Sequence, residues 1–403
     1  MQVRHGSFIS GNAKVVRNIN RAVILNLIRE KQPISRIEIA HVSGLNKSTV
    51  SSIVTGLLEE GLLYEVVEPN QNVGRNPINL FLKLGAHFVG AINIDAPVSR
   101  IAIADLDGSL KESAMLETKS ENPEAFLTHC VKELFVLRDR LQIAHLEGIG
   151  LSIAGIVDPV KAKVMLAPRL GWEDFEIGKL MQKLCPNEGA ITVDNDARAS
   201  ALAELWHGKH DLDLSNFVFL SVGPGIGTGI VVEKNLLHGH SYASGEFGHM
   251  TLFEGGELCA CGNYGCWEAY ASDRATARRY NARKQQEQSQ PRPALLEEII
   301  ELANQKQDAI AREVLLQTGH FLGMGIADII KSLDPEAIII GGKITSVWEI
   351  IYPEIVQTLE KRAFFGKKRT LHILPTSLQV RPRLLGAATL VVKELFSDFK
   401  IIR

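Results

Sequence analysis

The sequence is poor in cysteine, has no long apolar run and carries almost no net charge. It contains 5 cysteines in 403 residues, and its charged side chains sum to −2 at neutral pH. No apolar stretch approaches the roughly 20 residues that cross a bilayer, and no secretory leader is recognisable. These absences argue against a membrane-inserted protein and against a disulfide-rich secreted one. We expect a cytoplasmic globular protein, long enough for two or three domains.

Acidic residues are scarce at the start of the chain. Residues 1–58 contain only two, Glu30 and Glu38, against eight lysines and arginines, so this segment carries +6. The remaining residues, 59–403, therefore carry −8. A basic segment attached to an acidic body predicts an anionic partner for that segment alone.

The first sixty residues hold three helix signals. Apolar side chains recur at helical spacing over 18–31. Ser35 and Glu38 form a capping box that begins a second, short helix. Gly44 ends that helix, and the pattern over 47–60 predicts a third one. Two short helices joined by a tight glycine turn are typical of a helix-turn-helix domain.

The start of the third predicted helix is polar and basic, as expected for a helix that enters the major groove of DNA. Two strand-like runs follow, 62–67 and 78–82, with a turn at 69–74 between them, which predicts a winged helix-turn-helix. A helical protein-interaction domain is the alternative, but the basic bias disfavours it. We expect operator DNA to contact Arg36, Asn46, Lys47, Ser48, Thr49 and Ser52, with Arg75 on the wing.

From about residue 83, strand-like and helical stretches alternate over some 300 residues, which indicates α/β layers. The polar stretch 281–293 reads as an exposed connection. The predicted strands are Phe88–Ile94, Arg100–Asp105, Gly148–Ile153, Ile191–Val193, Phe217–Val222, Gly229–Glu233 and Ala337–Ile340, and the predicted helices are 123–142, 176–184, 197–207, 295–303, 309–332 and 348–363.

One histidine and three of the cysteines fall within 18 residues, at His249, Cys259, Cys261 and Cys266. Three thiolates and one imidazole complete a tetrahedral zinc shell, and a closed shell of four protein ligands is structural rather than catalytic. Buried thiols or a disulfide are the alternative, but two cysteines one residue apart do not bridge easily. We predict a structural Zn²⁺ that fixes the loop and the neighbouring carboxylates.

Three further segments lie where α/β proteins bind ligands. Asp196 follows the strand ending at Val193 and opens a helix, where it could act as a general base for a hydroxyl. The alternative is a plain helix N-cap at Asn195 or Asp196. The glycine-rich run Ser221–Gly229 is either a phosphate cradle or a hairpin turn. Gly341 and Gly342 end a strand and either contact a flat ring or form an ordinary glycine turn between elements.

These pieces together resemble the ROK family of sugar kinases and repressors over nearly the whole chain. The most specific match is Gly245-Glu-Phe-Gly-His249 followed by Cys259-x-Cys-Gly-x-x-Gly-Cys266-x-Glu268. The resemblance implies an actin-like fold of two ribonuclease-H-like lobes, with domains at 1–82, 83–195 (completed by 385–403) and 196–384. It also implies zinc on the four residues above and a monosaccharide held by Gly155, Asn195, Asp196, Glu246, His249 and Glu268.

One departure from the family separates repressor from kinase. The family kinases begin their first lobe with Asp-x-Gly-Gly-Thr-Lys, which wraps the ATP phosphates, whereas this chain has Asn93-Ile-Asp-Ala-Pro-Val98. A proline and an aspartate in that turn remove an amide donor and add negative charge. We therefore expect a sugar-responsive transcriptional repressor rather than an enzyme.

Several alternatives stay open at this stage. A sugar kinase with Asp196 as its base is one, and a regulator controlled by a sugar-transport protein is another. We expect a homodimer or homotetramer on a near-palindromic operator. We also expect the loop 167–175 to select the sugar.

Overall fold

A computed structural model describes residues 13–67, 78–287, 292–305, 308–362, 371–378 and 381–397. Within these ranges, no helix combines the length and the apolar character that a bilayer crossing requires. The described chain forms a small N-terminal domain and two α/β lobes, each built on a five-stranded sheet.

The N-terminal domain is a winged helix-turn-helix. Ser35 and Glu38 form the predicted capping box, and Gly44 ends the second helix with a left-handed φ of 70°. Strand order β1-β3-β2 makes the three-stranded antiparallel wing sheet. The first helix begins at Ala13, five residues before the predicted start at residue 18. The prediction missed this first turn because its side chains are mostly exposed and show no apolar pattern. The elements are α1 (Ala13–Lys31), β1 (Ile34–Ser35), α2 (Arg36–Ser43), α3 (Lys47–Glu59), β2 (Leu63–Val67) and β3 (Ile78–Leu82).

The first lobe has the sheet order β11-β7-β4-β5-β6, with β4, β7 and β11 parallel. The large side chains of β4, such as Ile92 and Ile94, pack under α4, while Val89 and Ala91 face the opposite side. A small sheet, β10-β9-β8, lies beside it. Its elements are β4 (Phe88–Ile94), β5 (Val98–Asp105), β6 (Leu110–Glu117), α4 (Pro123–Arg140), β7 (Gly148–Ile153), β8 (Ile156–Asp158), β9 (Lys163–Ala167), β10 (Trp172–Phe175), α5 (Ile177–Leu184) and β11 (Ala190–Asn195).

The second lobe has the sheet order β14-β13-β12-β15-β16. The expected strand at Gly229–Glu233 begins earlier, at Ile226, because the glycine-rich run is a hairpin in which the Gly223 amide donates to the Gly225 carbonyl at 2.9 Å. Its elements are α6 (Asp196–His207), β12 (Phe217–Val222), β13 (Ile226–Val232), β14 (Asn235–Leu236), α7 (Glu268–Ala271), α8 (Asp273–Glu287), α9 (Leu296–Asn304), α10 (Ala309–Leu333), β15 (Ala337–Gly341), α11 (Trp348–Arg362) and β16 (His372–Pro375).

The expectation of an exposed connection over 281–293 is wrong for its first half, because α8 continues to Glu287. This helix has almost no apolar face in its sequence. It nevertheless buries Ala275, Thr276 and Tyr280, and the Tyr280 hydroxyl donates to Asp308 at 2.7 Å. Tertiary contacts therefore stabilise a helix that periodicity does not reveal.

The last helix, α12 (Pro382–Ser397), returns to the first lobe. It packs against β4, β7 and β11 and also against α6. Gly150 permits this approach, since a Cβ there would lie 1.8 Å from the Ala387 carbonyl oxygen. The lobes are thus joined through two helices, α6 and α12, that contact each other.

The winged helix-turn-helix domain shares its core with this junction. Ile24, Leu25 and Ile28 of α1 belong to the same buried apolar cluster as Leu384 and Phe396 of α12. The Asn26 amide of α1 donates to the Phe396 carbonyl at 3.1 Å. The winged domain is therefore packed directly onto the helices that connect the lobes.

Candidate functional site

The four candidate zinc ligands converge in space. Their nearest ligand atoms all lie within 4.8 Å of one another, and all five cysteines of the chain are free thiols. Cys261 Sγ and Cys266 Sγ are 3.7 Å apart, as are Cys259 Sγ and His249 Nδ1. Two sulfurs that bind one tetrahedral zinc at about 2.3 Å are separated by roughly 3.8 Å. The residues therefore fit the metal, and the disulfide alternative does not occur.

Local backbone geometry shapes this cluster. Gly262 has a φ of 90°, and its amide donates to the Cys259 carbonyl at 3.0 Å. The Cys259 amide in turn donates to the Asn263 carbonyl at 2.8 Å. On the other side, Trp267 is fully buried and donates from Nε1 to the Phe321 carbonyl at 2.8 Å. The loop is thus attached to the core of the second lobe immediately after its last cysteine.

Two carboxylates lie beside the cluster. Glu268 Oε1 is 3.2 Å from Cys259 Sγ, and its Oε2 accepts from the Ile226 amide at 3.2 Å. Glu246 Oε2 is 4.0 Å from His249 Nε2, so the histidine has one nitrogen towards a cysteine and the other towards a carboxylate. Burial raises the pKa of Glu246, with nearby Asp196 and Glu268 adding to the rise while His249 and Arg198 oppose it.

Asn195 and Asp196 lie at the carboxyl end of β11, where α6 begins. Asn195 Oδ1 accepts from the amides of the first helical turn, and its Nδ2 donates to the Gly155 carbonyl at 2.9 Å. The helix-cap reading is correct for Asn195. Asp196 is the first residue of α6, is 7% exposed, and its Oδ2 lies 3.2 Å from Arg383 Nε.

A buried ion network holds this region and was not predicted from the sequence. Arg198 pairs with Asp194 at 2.7 Å and donates to the carbonyls of Val157 and Tyr242. His238 Nε2 lies 2.9 Å from the second oxygen of Asp194. Burial opposes ionisation of Asp194, but the contacts from His238 and Arg198 lower its pKa overall. Asp194 lies in β11 and Arg198 in α6, so the spacing rule for one helix does not indicate the pair, and their partners His238 and Tyr242 are each 44 positions away.

The turn between β4 and β5 has no free amide for a phosphate. The Asp95 amide donates to Ser99 Oγ, the Ala96 amide donates to the Asp95 carboxylate, and Pro97 has none. The Asp95 carboxylate is also bonded to Arg383 at 2.9 Å and to Arg169 at 3.0 Å. Protein groups therefore occupy the hydrogen-bonding positions of this turn.

The segment 167–175, expected to select the sugar, forms the β9–β10 hairpin. Its Trp172 is 3% exposed in the core of the first lobe. The Trp172 indole donates to the Ser120 carbonyl at 2.8 Å. Arg169 points towards the Asp95 turn, where it also donates to the Ala96 carbonyl at 2.6 Å.

The helix α3 exposes a polar edge. Asn46, its N-cap, and the side chains of Lys47, Ser48 and Ser52 are exposed, while Thr49 is half-buried. The opposite face, with Val50, Ile53, Val54 and Leu57, is buried. Arg36 is paired with Glu65 of the wing at 2.9 Å. Arg75 and the expected turn at 69–74 lie outside the described residues.

The fold and the site together define a two-lobed actin-like protein with a winged helix-turn-helix domain. A model of the ROK family matches residues 89–394, and a model of the MarR family matches residues 18–70. The chain belongs to the ROK family, which confirms the resemblance inferred from its motifs.

Similar proteins include regulators and enzymes. The xylose repressor of Bacillus spizizenii is 29% identical over 390 residues, covering 96% of this chain and 98% of the repressor. The solved structure of a ROK family transcriptional regulator, a homologue of the Escherichia coli MLC protein, superposes with a TM-score of 0.82 at 27% identity and covers 95% of this chain and 97% of its own. A ROK family glucokinase from Streptomyces griseus, solved with glucose and AMPPNP, gives 0.65 at 25% identity and covers 75% of this chain and 98% of its own.

Proposed function

We propose that this protein is a DNA-binding transcriptional repressor controlled by a monosaccharide. The carrying observation is that one helix, α6, begins at Asp196 in the candidate sugar site and ends against the DNA-binding domain. Similarity to the xylose repressor extends over both parts of the chain, whereas the glucokinase likeness covers only 75% of it. Such a repressor requires a rigid element that couples its effector site to its DNA-binding domain, and α6 connects the two.

The sugar lies, in this proposal, between Asn195, Asp196 and the carbonyl of Gly155 on one side and Glu246, His249 and Glu268 on the other. Carboxylates, an amide and an imidazole bind hydroxyl groups through directed hydrogen bonds. Gly155 must lack a side chain, since a Cβ there would be 2.5 Å from the Leu166 carbonyl oxygen. The relative's name makes xylose the first sugar to test.

Zinc has a structural role in this proposal. Bound to Cys259, Cys261, Cys266 and His249 Nδ1, it would fix the imidazole and keep Nε2 available to the sugar or to Glu246. The metal shell has no open position for a substrate, so the metal orients side chains and takes no part in a reaction.

We do not propose a kinase, because protein groups occupy the hydrogen-bonding positions of the β4–β5 turn, where ATP phosphates would have to bind. The amides of Asp95 and Ala96 already have acceptors, Pro97 has no amide, and the Asp95 carboxylate is itself bonded to Arg383 and Arg169. Asp196, the position of a kinase base, is paired with Arg383.

On DNA, two copies of the chain would place two α3 helices in successive major grooves, roughly 34 Å apart. Lys47, Ser48 and Ser52 are exposed for that contact. Arg36 would hold the wing strand β2 through its ion pair with Glu65, and it would contact a DNA phosphate in the complex. Sugar binding would change the lobe arrangement and so change the spacing of the two recognition helices.

The test has two stages. A thermal-shift panel of xylose, glucose, N-acetylglucosamine and ATP with magnesium identifies the ligand, because a ligand of the folded state raises the melting temperature. An operator selected from random duplex DNA then reports affinity with and without that sugar. Asp196→Asn should abolish the sugar shift, and exposed Asp139→Asn should keep it.

Three outcomes separate the alternatives. A sugar shift that changes operator affinity supports the proposal. Sugar-dependent ATP hydrolysis that disappears in Asp196→Asn would show a kinase instead. Operator binding that ignores every sugar but is released by a sugar-transport protein would show control by a protein partner.

A further inference from the structure

The loop 237–246 carries Glu246 to the candidate sugar site. It runs from the end of β14 to a short 3-10 turn that begins at Phe247. The tip of the loop is exposed, and Tyr242 has a left-handed φ of 59°. A residue other than glycine keeps such a φ only where its surroundings hold the backbone in place. The position of Glu246 therefore depends on what fixes this loop.

Two side chains attach the loop to the junction of β11 and α6. His238 Nε2 lies 2.9 Å from Asp194 Oδ2, and Arg198 Nη1 donates to the Tyr242 carbonyl at 2.7 Å. Both contacts share one anchor, because Arg198 Nε also donates to Asp194 Oδ1 at 2.7 Å. Asp194 and Arg198 are each buried. One buried carboxylate and the guanidinium paired with it thus hold the loop at its start and near its middle.

These contacts lie between the two halves of the candidate sugar site. Asp194 belongs to β11 of the first lobe and accepts from the Asn195 amide at 2.7 Å, so the anchor adjoins the first half of the site. His238 and Glu246 belong to one loop of the second lobe. The network therefore crosses the boundary between the lobes and connects the loop of Glu246 to the strand that ends at Asn195.

We propose that His238 and Arg198 are positioning residues, which hold the loop of Glu246 in the arrangement that binds the monosaccharide. This inference rests on the proposed function, because it concerns the same site. Neither side chain needs to touch the sugar. A site whose loop is already fixed binds its ligand without the entropic cost of ordering that loop. Arg198 suits the role, because its planar guanidinium donates to a carboxylate and to backbone carbonyls at the same time.

Substitutions of His238 and Arg198 test the proposal. His238→Ala removes the contact with Asp194, whereas in His238→Gln an amide nitrogen can take the place of Nε2. Exposed His240→Ala, on the same loop, is the matched control. Arg198→Lys keeps the positive charge beside Asp194 but loses the forked geometry that reaches the Tyr242 carbonyl. Each variant is measured by amide hydrogen exchange without ligand and by titration calorimetry with xylose, glucose and N-acetylglucosamine.

In His238→Ala and Arg198→Lys, amide exchange over 238–246 should rise on the order of tenfold, while the rest of the chain keeps its wild-type rates. The affinity for the sugar that binds the wild-type protein should fall about tenfold, because the loop must then be ordered during binding. His238→Gln should recover most of both losses, which a general loss of stability would not predict.

The proposal is overturned if His238→Ala matches His240→Ala in either measurement. It is also overturned if exchange rises evenly over the whole chain, since that result would show only general destabilisation. A wild-type protein that binds none of the three sugars would contradict the proposed function instead. In that case the exchange rates alone decide whether His238 and Arg198 hold the loop.

Discussion

The guanidinium of Arg29 lies 4.2 Å above the centre of the Trp206 ring, and its Nη1 is 3.5 Å from the Trp206 carbonyl oxygen. Trp206 also meets the Phe396 ring edge-on at 5.7 Å. Arg29 belongs to the DNA-binding domain, and Trp206 is the penultimate residue of α6. Since α6 begins at Asp196 and rises about 1.5 Å per residue, it extends roughly 15 Å from the candidate sugar site to this contact.

Replacing Arg29 with methionine should reduce communication between sugar and operator. Methionine keeps much of the side-chain length but removes the charge and the attraction to the ring, which contributes about 0.5–1 kcal/mol. The sugar affinity should stay unchanged. The factor by which sugar changes the operator dissociation constant should become roughly two- to fivefold smaller, and so closer to one. Arg140→Met is the control. A ratio identical to wild type would rule out this route.

Replacing Cys261 with serine should remove zinc without disturbing the core, because Cys261 is exposed. The zinc content measured by elemental analysis should fall from one per chain towards none. The sugar affinity should drop on the order of tenfold, because the orientation of His249 and Glu268 is lost. A strong chelator should have the same effect on the wild-type protein. Cys185→Ala, in the first lobe, should keep its zinc. Unchanged sugar affinity in a zinc-free variant would refute a role for the metal in the sugar site.

Replacing Lys47 with alanine should weaken DNA binding through loss of one phosphate contact. Lys47 is exposed at the start of α3, beside the N-cap Asn46. The slope of log affinity against log salt should become shallower by about one, with similar losses on specific and random DNA. Lys132→Ala, exposed on α4, should behave like wild type. A loss confined to the selected operator would instead assign Lys47 to a base.

Acid should destabilise the protein through His207. Burial, with a contribution from Arg29, lowers the pKa of His207 to about 4, and its Nε2 is 3.1 Å from Thr389 Oγ1. The unfolded chain binds a proton near pH 6.5 and the folded chain only near 4, so the stabilisation is complete above 6.5 and is lost as the pH falls towards 4. The loss is about 3 kcal/mol at most.

His207→Gln should therefore flatten the dependence of the unfolding free energy on pH between 6.5 and 4. Urea denaturation at four pH values in this window measures it. His129→Gln, on the exposed face of α4, should keep the wild-type slope. If His207→Gln keeps that slope as well, the buried imidazole is not the source of acid sensitivity.

Local signals in the sequence predict the parts of the site that are local in the chain. The zinc ligands fall within 18 residues, and the capping box of Ser35 and Glu38 needs only one helical turn. Both follow from spacing and residue type. The same holds for Asn195, whose capping role depends on the amides that immediately follow it.

Contacts between distant residues could not be predicted in this way. Arg383 and Asp95 are 288 positions apart, and nothing in either neighbourhood indicates that they pair. The indole of Trp172 donates to the carbonyl of Ser120, 52 positions away, and nothing near either residue in the sequence indicates that contact. The end of helix α8 was not predicted because its sequence has no apolar face, and the helix is buried only through contacts with neighbouring helices.

The shared core of α1 and α12 limits how this protein can be recombined. Cutting the chain after residue 82 would leave Leu25 and Ile28 on one fragment and Phe396 on the other, each with apolar surface newly open to water. A chimaera that exchanges only the first 82 residues with another regulator would inherit that mismatch. New operator specificity is better introduced by changing the exposed side chains of α3, because those changes leave the packing between α1 and α12 intact.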